Sequence, residues 1–419
     1  MNNKKWMAIL LGGIMAASLA APCSVSAAEK TTLTFWHAMG GTNGEVLQQI
    51  VDDFNASQDE IEIKAEYQGT YDDTITKLKA AMQSDSGLPD VCQMYDVGTK
   101  FMYDSGAVIP VEDKFESTGY DKSSVMEVIS SYYTVDGKQY AMPFNVSTPM
   151  LYYNKDVFEA AGLDPETPPT TYDEVLEDAK KIVESGAAPV GYSQAIYGWF
   201  FEQQLAGLGV TYGNNDNGRK EAVTAVDFDS NGGGLKVFDM WKKLYDSGYF
   251  EDYGTTTADT QTAFFSGQVG MIIESTAILK NAVDSSPFEV GTGYLPRIEQ
   301  NDEGGVIIGG GSLWLTDTGN EANEDAAWKF IEYITTPDVQ AKWSMGTGYF
   351  AINEKAYETE DMKAYLKENP NFETAINQLK DSPVNCNTAG VLSGVQTEAR
   401  LTFDEICLLY TSDAADDRI

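Results

Sequence analysis

From Thr32 to Tyr95 the apolar residues switch between the two-residue period of a strand and the longer period of a helix. The same switching resumes after Pro143. Thr32–Trp36 alternates as a strand, and Gly40–Gly44 turns it into a helix whose positions Val46, Leu47, Ile50, Val51 and Phe54 form one stripe. Ile61–Tyr67 alternates again, Asp72–Met82 returns to helical spacing, and Leu88–Asp90 opens a strand over Val91–Tyr95. In the second block, Pro143–Glu174 sets out an extended segment, a Tyr152–Lys155 turn and a helix Val157–Ala161 ended by Gly162. Pro168 and Pro169 stop any continuation, and Thr171 with Glu174 forms a capping box for a helix over Tyr172–Glu184. Further on come a helix over Leu235–Ser247, a strand over Val269–Ile273, a strand-like Leu313–Thr316, a helix over Glu324–Thr335 and another opened by Pro337. Repeated strand–helix order in 419 residues points to an α/β protein of two domains. Ligand sites in such folds lie at strand ends facing the crevice between the units.

With 64 acidic against 28 basic residues the formal charge is −36. Nucleic acid and anionic membrane surfaces are poor partners for that field. Lys4 and Lys5, an apolar run from Trp6 to about Ala21 and Val25–Ala28 read as a leader cleaved after Ala27 or Ala28, so residues 1–28 are expected to be a signal peptide. Pro22 before Cys23 argues against lipidation, and no later segment has the length and apolarity of a membrane helix. Export would permit Cys92 and Cys386 to pair, which their spacing leaves open. The tail from Cys407 to Asp416 matches a translated transposase adapter, so residues 407–419 are expected to be non-native.

Enzyme chemistry finds little support. His37 is the single histidine and has no metal-motif context, so it reads as a structural or cleft-rim residue. Gly232–Gly234 and Gly309–Gly311 lack the residues of a phosphate loop and the spacing of a dinucleotide fingerprint. Carboxylates are too abundant for any pair to stand out as a glycosidase dyad. The expectation is a protein that is not an enzyme and has no cofactor or metal.

Several stretches carry a resemblance: LTFWHAM (Leu33–Met39), DFN (Asp53–Asn55), QMYDVGT (Gln93–Thr99), PFNVSTP (Pro143–Pro149), LYYNKD (Leu151–Asp156), AGLDPE (Ala161–Glu166), IIGGGSLW (Ile307–Trp314) and TGY (Thr347–Tyr349). From about Thr32 to Ile406 the chain resembles the extracellular solute-binding proteins of ABC importers, in the maltose-binding-like class, and within it the glycerol-3-phosphate-binding branch. YDVGT and IIGGGSLW carry most of the specificity; the Tyr-Asn-Lys and Ala-Gly-Leu stretches are common to the class. The resemblance implies a periplasmic binding protein-like fold of type II, with two α/β domains around a cleft. Carried over, domain 1 is 29–142 plus 309–370 and domain 2 is 143–308 plus 380–406, with crossings near 142, 308 and 375.

The resemblance also implies a ligand set of Tyr71, Asp96, Ser147, Trp199, Ser275, Gly310, Tyr349 and Arg400. In that reading Arg400 supplies a planar donor fork to phosphate. Ser147, Ser275 and Tyr349 donate hydroxyl hydrogens, and Gly310 brings its backbone N–H close. Asp96 and Tyr71 serve glycerol hydroxyls. Two departures stand out: Asp96 replaces the family's Glu, and Ile196 replaces the first of two tryptophans, leaving Trp199. Both enlarge the pocket, admitting a glycerophosphodiester such as glycerophosphocholine beside sn-glycerol 3-phosphate. The partners implied are a small phosphorylated solute and the permease subunits, with the protein a periplasmic monomer; a sugar ligand is the alternative.

Overall fold

The computed structural model describes residues 30–84 and 87–411. The leader assigned to 1–28 lies outside these residues, as does the expected foreign tail beyond 411. Where the sequence alternates, strands form: β1 Thr31–His37, β2 Ile61–Tyr67, β3 Val91–Tyr95 and β4 Val108–Ile109. After a hairpin of β5 Thr134–Val135 and β6 Lys138–Gln139 come β7 Met142–Ser147, β8 Pro149–Asn154, β9 Val190–Ser193, β10 Val269–Ser275, β11 Val290–Gly293 and β12 Gly309–Thr316.

One sheet has the order β2-β1-β3-β12-β4, and β7 also pairs with β12; β1 is parallel to β2 and β3, while β12 runs antiparallel to its partners. A second sheet has the order β11-β8-β10-β9. The chain passes from the first sheet to the second at Thr148, because Ser147 pairs with Gly309 in one and Pro149 with Ser275 in the other. It returns between β11 and β12, and the helix Asn371–Asp381 packs again on β11. This is the α/β arrangement expected.

The apolar core is shared: one cluster joins the first sheet with one face of the second (Met150, Tyr152, Val269, Ile272 and Val290), and a second cluster lies on the other face of the second sheet. Leu33, Phe35, Val91, Met94, Leu313 and Trp314 lie in the core around the first sheet. Tyr153, Phe158, Tyr192, Phe200, Phe201 and Met271 lie around the second. The expected turn at Tyr152–Lys155 is a correction: Tyr152, Tyr153 and Asn154 finish β8, and the helix starts at Lys155. Two adjacent aromatics fit a pleated, fully buried strand better than a turn, and Asn154 caps the helix by accepting from Val157 N–H at 3.1 Å. Cys92 and Cys386 are both free thiols, the former buried and unreactive because burial pushes its pKa up to about 12.

Local capping is where the sequence predicts it. Thr171 Oγ1 accepts from Glu174 N–H at 3.2 Å, and Glu174 Oε2 accepts from Thr171 N–H at 3.2 Å and Thr170 N–H at 2.7 Å, starting the helix Tyr172–Ser185. Less expected is Glu274, a carboxylic acid buried inside β10. Burial pushes its pKa up to about 7, against the pull of hydrogen bonds from Ser275 N–H at 2.7 Å and Gln261 Nε2 at 3.0 Å.

Two measurements follow from these elements. Thr171→Ala removes the cap and is expected to cost about 1 kcal/mol in urea unfolding with an unchanged m-value. For Glu274 the folded pKa lies above the unfolded one, so its contribution is full below the unfolded pKa and is lost as pH rises through about 7. Glu274→Gln stays neutral, and Gln261 can turn its amide to match. The variant's melting temperature is therefore expected to gain on the wild type between pH 5 and pH 8, with a limit of roughly 3 kcal/mol. Parallel melting curves across that range would contradict this account.

Candidate functional site

The carboxyl end of β3 meets the seam between the sheets, and Asp96 is the first residue past it. Facing it are two packed helices, Gly198–Gly207 and Gln396–Thr411. The first is buried all round from Gly198 to Ala206, so its polar residues need partners inside the protein. Glu202 finds one in Arg400. Arg400 Nε donates to Glu202 Oε1 at 2.8 Å and Nη2 donates to Glu202 Oε2 at 2.7 Å, while Gln396 Nε2 donates to Oε1 at 2.5 Å. Across the seam, Arg400 Nη2 also donates to Asp96 Oδ2 at 2.9 Å. The guanidinium is 9% exposed and joins the two sides of the protein through one atom.

Burial alone would lower the Arg400 pKa; Glu202 and then Asp96 more than offset it, so the cation is held charged. Burial raises the Asp96 carboxyl, and Arg400 draws it back. Asp404, one turn on from Arg400, accepts from Gly198 N–H at 2.6 Å, and burial pushes it up to about 6. Around this single cation stand three carboxyl groups. Arg400 uses Nε and Nη2, and among the described residues no group accepts from its Nη1 hydrogens.

The other expected residues gather around this centre. Tyr71 opens the helix Tyr71–Met82 behind a Thr70/Asp73 capping box and stacks on Tyr95, with ring centroids 5.1 Å apart. Its phenol oxygen accepts from Asn145 Nδ2 at 2.6 Å, and Tyr349 faces the same amide. Tyr95 also touches the far side, its hydroxyl 3.0 Å from Thr397 Oγ1. Ser147 ends β7, buried, opposite Gly309. The Trp199 ring lies over Gly309, where a Cβ would come within 2.8 Å of it, and its indole N–H is buried without a partner. Gly310 has φ +94°, and a Cβ there would overlap the Asn145 carbonyl oxygen. Only glycine fits that backbone.

Ser275 ends β10 beside these groups, since Thr276 N–H donates to the Thr148 carbonyl. Its hydroxyl, however, caps its own turn, accepting from Ala277 N–H at 3.1 Å. Ile196 and Tyr197 are at the helix entry, Tyr197 close enough to feel the charges of Arg400, Asp96 and Glu202. His37 is a buried structural group: its Nδ1 accepts from Met39 N–H, and burial lowers its pKa to about 4, which leaves it neutral.

Glu202 and Asn145 are absent from the sequence-derived set. Glu202 left a faint signal, a carboxylate inside the run WFFEQQLAG three residues after Trp199 and so on the same helix face. Asn145 left none beyond its place between Phe144 and Val146. It links Tyr71 to Gln93, donating to the former and accepting from Gln93 Nε2 at 2.7 Å. Arg219 adds a tie away from the pocket. Its guanidinium donates to the carbonyls of Tyr132 and Ala389 and lies over the Tyr132 ring.

Residues 49–374 match the bacterial extracellular solute-binding protein family. The sn-glycerol-3-phosphate-binding periplasmic protein UgpB of Brucella abortus is 33% identical over 389 residues, covering 91% of this chain and 89% of that one. UgpB of Escherichia coli K12 is 31% identical over 382 residues, covering 90% and 86%. Among solved structures, UgpB of Mycobacterium tuberculosis in complex with glycerophosphocholine aligns with a TM-score of 0.74 at 23% identity, over 85% of this chain and 87% of that one. The cyclic α-maltosyl-1,6-maltose binding protein of Arthrobacter globiformis aligns with a TM-score of 0.74 at 25% identity, over 93% and 96%. The periplasmic binding protein-like fold inferred from the sequence motifs is thus the fold observed. Among the described residues no helix is long and apolar enough to cross a membrane. The chain belongs to the bacterial extracellular solute-binding proteins and is the solute-binding component of an ABC importer.

Proposed function

We propose that this protein captures sn-glycerol 3-phosphate or a glycerophosphodiester such as glycerophosphocholine between two lobes and delivers it to its permease subunits. The lobes are those outlined above, 29–142 with 309–370 and 143–308 with 380–406, and the protein acts in the periplasm as an exported monomer. The observation that carries the reading is Arg400: a buried guanidinium at the seam of the lobes with its Nη1 donors unassigned. Phosphate oxygens match that fork better than any neutral group does. Ser147, Ser275 and Tyr349 add hydroxyl donors, the Gly310 N–H adds a backbone donor, and Trp199 closes over the ester. Tyr71 and Asp96 take the glycerol hydroxyls, with Asp96 exchanging its hold on Arg400 for them. The relatives named for glycerol 3-phosphate, and the fold shared with a glycerophosphocholine complex, agree with this assignment.

A neutral sugar is the second reading. It is favoured by the two carboxylates that already satisfy Arg400 and by the sugar binders among proteins of the same fold. The ligands separate the two. Titration calorimetry is expected to show micromolar or tighter binding of glycerophosphocholine or glycerol 3-phosphate, the ester being recovered unchanged. Arg400→Ala is expected to weaken it about a hundredfold or more. Maltose binding that survives Arg400→Ala, with no heat from either ester, would establish the sugar reading instead.

A further inference from the structure

Arg400 meets its two carboxylates on unequal terms. Asp96 reaches it across the seam through one hydrogen bond. Glu202 grips it side-on from a helix packed against its own, through two hydrogen bonds, and is itself fixed by Gln396. Opening the cleft carries Asp96 away with the first sheet, whereas Glu202 travels with Arg400. Whatever anion enters the clamp therefore meets a guanidinium whose charge Glu202 has already cancelled.

We propose that Glu202 sets the ionic class of the ligand, making the Arg400 clamp select phosphodiesters, which carry one negative charge, over phosphomonoesters, which carry nearly two. The inference rests on the reading of the cleft as a phosphate-ester site and adds the residue that discriminates within that class. The non-bridging oxygens of a diester can accept from Nη1 while the rest of the molecule stays neutral or cationic towards Asp96. A monoester dianion brings a second charge that no cation in the clamp offsets, and at short range in a buried site like charges repel strongly. Glu202 acts through Arg400 and is a positioning residue with an electrostatic consequence. Ionisable groups facing it are Arg400, Asp96, Asp404, Tyr197 and Tyr212. Burial pushes both tyrosines up to about 12, out of the window from pH 5.5 to 8, and Asp404, pushed up to about 6, titrates within it as does the ligand's own phosphate.

The test is calorimetry of the full chain with glycerophosphocholine, glycerophosphoglycerol, glycerol 3-phosphate and maltose. Glycerophosphoglycerol is a monoanionic diester with no cationic head, so it separates charge count from choline recognition. For the wild type at pH 7.5 both diesters are expected to bind at least tenfold more tightly than the monoester. Glu202→Gln is expected to shrink that ratio tenfold or more, chiefly by strengthening the monoester. A second readout needs no variant. A phosphomonoester loses its second charge around pH 6, so the wild-type preference should narrow as pH falls from 8 to 5.5. An unchanged ratio in Glu202→Gln, equal weakening of every ester, a pH-independent wild-type ratio, or glycerophosphoglycerol binding as poorly as the monoester would each overturn the role of Glu202. If no phosphate ester binds the wild type while maltose does, the phosphate reading itself falls and the inference falls with it.

Discussion

A single guanidinium carries the architecture of the seam. Arg400 is a buried cation in a chain dominated by acids, and the cost of desolvating it is met by hydrogen-bonded carboxylates from both sides. Removing one partner of such a group leaves an uncompensated buried charge, a large penalty compared with the loss of an exposed pair. The surface pairs of the protein, such as Lys122 with Glu112, belong to the weak class. One of Arg400's two carboxylates belongs to each side, and under the function proposed above the bond to Asp96 is the one a ligand would exchange.

The surrounding polar groups follow the same logic at lower charge. Asn145 sits in the strand that pairs with the glycine floor and distributes its amide between Tyr71 and Gln93, fixing the phenol that stacks on Tyr95. Tyr95 reaches Thr397 on the helix that carries Arg400. Thus a backbone register, β7 against β12, sets side-chain positions on both sides of the cleft. Arg219 donates to the carbonyls of Tyr132 and Ala389, a tie made without an acidic partner among the described residues.

Much of this was legible from the amino-acid order because it is written in local terms. Strand and helix periods, the Thr171–Glu174 box and the proline stops each act within a few residues, and each element appeared where its pattern lies. The Tyr152–Lys155 turn failed because two aromatic residues beside an Asn cap read alike in a turn and at a strand end. Arg400 and Asp96, known from the resemblance, do meet across the seam. Glu202 left only a faint signal: among 64 acidic residues its apolar run WFFEQQLAG hinted at burial, but only its tertiary partner Arg400 shows its role. Ser275 shows a different limit: its type suits a ligand donor, and only the fold shows that its oxygen also accepts from Ala277 N–H while its hydroxyl hydrogen can still donate.

The glycine floor has a further consequence. Where Trp199 lies over Gly309 and Gly310 turns its backbone under Asn145, the gap between the lobes is measured from main chain to indole, with no side chain beneath. The lower wall of such a cleft has nothing left to trim. If this is the ligand cleft proposed above, a longer ligand would have to find its room at the upper wall around residues 196–199, the one helix entry whose side chains could change against a fixed main-chain floor.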